Sequence, residues 1–223
     1  MGIFESIFDI AYLLGVLVLS LNMLRAGDKG SMIWLFGSMG LVLGLGDSFH
    51  LVPRIVSHLT GDFAGHAAAL GYGKMVTSLT MTVFYLILYR IWELRNGKGP
   101  KKGLRLVMGI LALARILLSL MPQNNWADLA GSYTWGIYRN IPFVMMGALI
   151  VWLVLKEAAD KKDQAFNHIG YAVIVSFACY LPVVLFASSV PAVGALMMPK
   201  TIAYFLVVLI GFKNTKRGTL IEI

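Results

Sequence analysis

The stretch MIWLFGSMGLVLGLGDSFHLVPR (32–54) decides the fold. Its first part, 32–45, is apolar or small throughout. Extended by a few residues as helix, it reaches the roughly 20 residues needed to cross a hydrocarbon core of about 30 Å. Its tail then sets Asp47, His50 and Arg54 where a membrane helix is still in lipid. Positions 47, 50, 54 and 58 recur near the helical period, so Asp47, His50, Arg54 and His58 share one stripe. Ionisable groups at such depth are costly unless paired or solvated, and their default reading is functional.

The whole chain supports the membrane reading. Of its 223 residues 58% are hydrophobic and 13% charged, and mean hydropathy is +0.77. Soluble domains are closer to a quarter charged. Apolar windows at 7–24, 32–52, 72–90, 104–121, 136–155, 168–188 and 194–212 predict an all-α membrane protein, a seven-helix bundle forming a single domain over 1–223. Met1–Asp9 has no basic region, so the sequence predicts no cleaved secretory leader.

The basic residues are unevenly placed. The segments RAGDKG (25–30), ELRNGKGPKKG (93–103), KEAADKKDQ (156–164) and KNTKR (213–217), with Arg90 and Arg105 beside the second, carry 14 of the 19 Lys and Arg residues, Lys98 and Arg217 among them. Lys and Arg mark the cytoplasmic side. The expected topology is N-terminus outside and C-terminus cytoplasmic. The formal charge of +8 is then a topology signal, and nucleic acid is not an expected partner.

Arg54, Lys74, Arg115, Arg139 and Lys200 break that rule, and all five map to the outer half or outer end of a span. The same depth holds Asp9, Asp47, His50, Tyr138, Asn140, Tyr180 and Tyr204. The expected site is an outward-facing, cation-rich polar pocket for a small anionic or amphiphilic ligand, a lipid headgroup or an organic acid, serving sensing or transport. Its lining is Asp47, His50, Arg54, Lys74, Arg115, Tyr138, Arg139, Asn140, Tyr180, Lys200 and Tyr204. Guanidinium grips carboxylate and phosphate bidentately, which gives an arginine-rich site its anion preference. Structural pairing of Asp47 with Arg115 or Arg139 is the plainer alternative, and snorkelling to the headgroups is the alternative for Arg54, Lys74 and Lys200.

A metal-dependent hydrolase is the rival reading. Asp47, His50 and His58 are the candidate ligands, with zinc as the cofactor because it takes imidazole and carboxylate donors. The motif GLGDSFH (44–50) resembles the second-helix motif of the CREST superfamily, the seven-helix alkaline ceramidase and adiponectin-receptor group. That resemblance implies His50 as a zinc ligand, Asp62 as the acid that follows, and hydrolysis of a lipid amide or ester. The family's last helix carries His-x-x-x-His, where this chain has Lys200 and Tyr204. No catalytic residue follows from the sequence alone, and a partner-binding protein with a stabilising ion network is the third reading.

Gly37, Gly40, Gly44 and Gly46 lie on the second span at near-helical spacing. Small residues let helices approach closely, so the stripe serves packing within the bundle or a homodimer face. Cys179 is the only cysteine, which excludes an internal disulfide. Lean loops and the lack of a leader suit the inner membrane of a prokaryote.

Overall fold

The structure is a computed structural model that describes residues 2–97, 99 and 101–216. Lys98 and Arg217 lie outside the described residues. Among these, seven helices are long and apolar enough to cross a membrane: α1 Gly2–Ala26, α2 Met32–Thr60, α3 Ala67–Asn96, α4 Lys102–Leu120, α5 Tyr133–Lys161, α6 Gln164–Phe186 and α7 Met197–Lys216. Short 3-10 turns at Pro122–Asn124 and Pro191–Leu196 precede α5 and α7. The described part is all-α, as the hydropathy pattern requires.

Each helix packs on the next, and α1 closes the ring against α7. Across the interior α2 touches α7 and α3 touches α5. Short connections make neighbours antiparallel. The α1–α2, α3–α4 and α5–α6 connections therefore share one end of the bundle, and the start of α1 shares the other end with the α2–α3, α4–α5 and α6–α7 connections.

Several helices run further than their apolar windows. The window 72–90 became Ala67–Asn96, and 136–155 became Tyr133–Lys161. A helix of this length spans roughly 45 Å at 1.5 Å per residue, so its ends reach past the hydrocarbon. Specific contacts hold these extensions. Trp92 is buried and donates from Nε1 to the Leu153 carbonyl at 3.1 Å. Ser31 and Ser132 accept from the backbone N–H of Trp34 and Trp135, as N-cap side chains do. Pro53, Pro142 and Pro182 are all accommodated inside continuous helices.

The glycine stripe of α2 is filled from within the chain. A methyl on Gly37 would meet Leu24 of α1 at 2.9 Å, one on Gly40 would meet Val208 of α7 at 3.0 Å, and one on Gly44 would meet Leu17 at 3.1 Å. Gly46 faces Thr80 of α3. Of the two roles open to the stripe, packing inside the bundle is the one these contacts occupy.

At the α3–α4 end acids meet their bases. Arg105 holds Glu93 with a two-pronged grip at 2.7 and 2.8 Å, and Arg90 adds a bond at 3.1 Å. Arg95 pairs with Asp163 at 2.7 Å, and Lys161 with Glu157 at 2.9 Å.

Candidate functional site

The opposite end is built differently: Arg54, Lys74, Arg115, Arg139 and Lys200 share it with Glu5, Asp9, Asp47, Asp62 and Asp128, and most of these charges are kept apart. The core of its polar set is Arg115, which is 2% exposed and stands in the last turns of α4. Its Nε donates to the Ser78 carbonyl and its Nη1 to Asn140 Oδ1, both at 3.3 Å. The guanidinium carbon lies over the Phe143 ring, 3.5 Å from its centre. Asn140 is turned by its own amide, which donates to the Gly136 carbonyl at 2.7 Å. That leaves Oδ1 pointing inward, where Tyr180 also donates to it at 2.7 Å.

Around this centre Phe143 packs edge to face on Tyr85 and Tyr180 and at a tilt on Phe177, with ring centres 5.1 to 5.8 Å apart. Tyr85 and Tyr204 share a hydroxyl–hydroxyl hydrogen bond of 3.2 Å. Lys200 lies over both Tyr180 and Tyr204, 4.9 and 5.7 Å from the ring centres. The structure thus joins Arg115, Asn140, Tyr180, Tyr204 and Lys200, drawn from α4, α5, α6 and α7.

Arg139 sits nearer the end of the bundle. It donates from Nη1 to Asn124 Oδ1 at 2.7 Å and lies 4.3 Å from the Trp126 ring centre. Asn124 in turn closes α4, donating to the carbonyls of Leu118 and Met121. Trp126 donates to the Ser119 carbonyl at 2.9 Å. Lys74 is exposed at the start of α3, within electrostatic reach of Arg139 and Arg54.

The stripe of α2 is divided among several partners. Asp47 accepts from Tyr12 of α1 at 2.7 Å, with Lys200 as a more distant charge. Neither Arg115 nor Arg139 pairs with it. His50 places Nδ1 3.3 Å from the Leu70 carbonyl. Arg54 and His58 both turn to Glu5, at 2.8 and 3.1 Å, and Asp9 lies buried one turn below Glu5. Asp47, His50 and His58 therefore have three different partners. Among the described residues no group of three His, Cys, Asp or Glu side chains is placed to hold a metal. Asp62 caps a local turn, accepting from the Gly65 N–H at 2.7 Å.

Tyr138 is not brought to this set. It is half-exposed, and its ring packs on Trp135. Conversely, Tyr12, Phe143, Asn124, Ser78 and Glu5 belong to the site and were not picked from the sequence. Tyr12 had a signal, since it follows Asp9 by three residues on an otherwise apolar helix. Phe143 had none, being one apolar residue in an apolar run.

Electrostatically, the arrangement keeps most cations of this end apart from its carboxylates. Among the described residues, Lys74, Arg115, Arg139 and Lys200 form no ion pair, and Arg54 alone of the five off-rule cations does. Carbonyl oxygens, an amide and aromatic faces stabilise these cations without neutralising them.

No family model, no curated protein and no solved structure matches the chain.

Proposed function

We propose that this integral membrane protein binds a small anionic or amphiphilic molecule, a lipid headgroup or an organic acid, at the end of the bundle that carries Arg115, Arg139, Lys74 and Lys200. Recognition of that molecule serves sensing or transport. We place this end on the outer side of the membrane, with the N-terminus outside, because most Lys and Arg lie at the other end and basic residues stay cytoplasmic.

The observation that carries the reading is Arg115, almost wholly buried yet without a carboxylate partner among the described residues. A buried charge left uncompensated costs several kcal/mol. An incoming carboxylate or phosphate would supply the missing countercharge. Arg139 acts on Arg115 as a neighbouring charge, and Lys200 lies over the Tyr180 and Tyr204 rings that adjoin it.

The test is calorimetric titration of detergent-purified protein with decanoate, comparing wild type, Arg115→Met and Lys200→Gln. Removing one desolvated charge partner should weaken binding by 10-fold or more, since such contacts are worth about 2 kcal/mol or more. Folding is followed by size exclusion and helical circular dichroism. Equal affinity in well-folded variants and wild type would overturn the reading.

A further inference from the structure

A groove of about 420 Å³ lies between α3 and α4 at the end opposite to the candidate site. Its rim is polar, formed by Arg90, Glu93 and Arg105. Its floor is apolar, formed by Leu86 and Met108, with Tyr89 as a wall. α4 contributes Gly109 to the lining. A methyl added at Gly109 would touch nothing within 4 Å. Outside the groove, α4 exposes Leu106, Ile110 and Leu113, so the opening faces the hydrocarbon of the membrane.

We propose that this groove holds one anionic glycerophospholipid, its phosphate on Arg90 and Arg105 and one acyl chain on Leu86, Met108 and Gly109. The order of chemistry along the groove is that of the lipid. Antiparallel α3 and α4 place the charged residues towards the helix ends and the apolar ones about one turn deeper. Two guanidiniums face a single carboxylate. Arg105 spends Nε and Nη2 on Glu93, and Arg90 spends Nη1. Each keeps N–H groups for a phosphate oxygen, and both side chains are nearly half exposed. Basic pockets between membrane helices bind acidic headgroups in this way. Glu93 orients the two arginines, and the groove has room for one headgroup between them.

The groove is distinct from the cluster around Arg115, so the two bindings fail separately. The experiment is native mass spectrometry of delipidated protein titrated with phosphatidylglycerol or phosphatidylcholine. The wild type should retain one phosphatidylglycerol about 10-fold more tightly than phosphatidylcholine. Arg90→Gln leaves the Arg105–Glu93 pair intact and should cut that preference about fivefold. Gly109→Leu fills the groove with a good helix former and should weaken both lipids. Lys200→Gln, at the far end, should change neither. Equal retention of the two lipids by the wild type would overturn the proposal. So would unaltered retention in both groove variants, or a Gly109→Leu protein whose change is loss of a dimer rather than loss of lipid.

Discussion

The Arg115 guanidinium carbon stands 3.5 Å from the centre of the Phe143 ring. The ring's negative face stabilises the cation without cancelling its charge. Phe143 also supports Tyr85, Phe177 and Tyr180, so one side chain positions most of the site. Phe143→Leu should cost about 2–3 kcal/mol through lost packing and the lost cation–ring contact. Thermal unfolding in detergent reads this directly, and an unaltered midpoint would show that the ring bears no such role.

The α2–α3 contact depends on a missing side chain. A methyl at Gly73 would sit 2.7 Å from His50 Cα, and backbone does not yield as a flexible side chain does. Gly73→Ala should therefore push the helices apart at about 1–3 kcal/mol. Gly109→Ala, facing open space, should be neutral or stabilising by up to about 1 kcal/mol, the gain in helix propensity. Parallel melts of the two variants compare a close approach with an open position, and opposite signs are expected.

Asp163 has two separable roles. One oxygen accepts from the N–H groups of Ala165 and Phe166, and the other receives Arg95. Asp163→Ala should lose about 1–2 kcal/mol, mostly from the cap. Asp163→Asn keeps a good cap and gives up the charge, so it should recover most of that loss. Chemical denaturation of both variants gives the comparison, and equal losses would assign the effect to the ion pair instead.

Glu5 occupies Arg54 and His58, and its side chain and that of Arg54 are a fifth to a third exposed. An ion pair of that exposure contributes at most about 1 kcal/mol, so Glu5→Gln should scarcely alter the melting midpoint. The same change removes one of the acids that share the end with Arg115, Arg139, Lys74 and Lys200. Under the proposed function, decanoate should bind severalfold more tightly to Glu5→Gln, and calorimetry would detect weaker binding as a contradiction.

Much of the site was legible as composition and little of it as geometry. The five off-rule cations stood out because each violates a charge rule that is local to the sequence. Asn140, Tyr180 and Tyr204 stood out as polar groups in apolar runs, and the structure brings them to Arg115. Tyr138 stood out equally and faces away, because its position on α5 differs from that of Asn140 by two residues, more than half a turn. The even spacing of Asp47, His50, Arg54 and His58 was correct as a stripe, yet the stripe extends along about 16 Å of helix at 1.5 Å per residue. Its members therefore meet different neighbours, Tyr12, Leu70 and Glu5.

The sequence by itself determined the seven apolar helices and the unequal distribution of charge between their ends. Both are sums over neighbouring residues, and a bilayer reads them segment by segment. Tertiary structure alone decided which cations keep a carboxylate and which do not. That choice rests on how each helix is rotated about its axis. Helices as apolar as α1 and α7 carry little facial asymmetry to fix that rotation. It is set instead by interlocking contacts between distant positions, such as Gly40 against Val208, Tyr12 on Asp47 and Tyr85 on Tyr204.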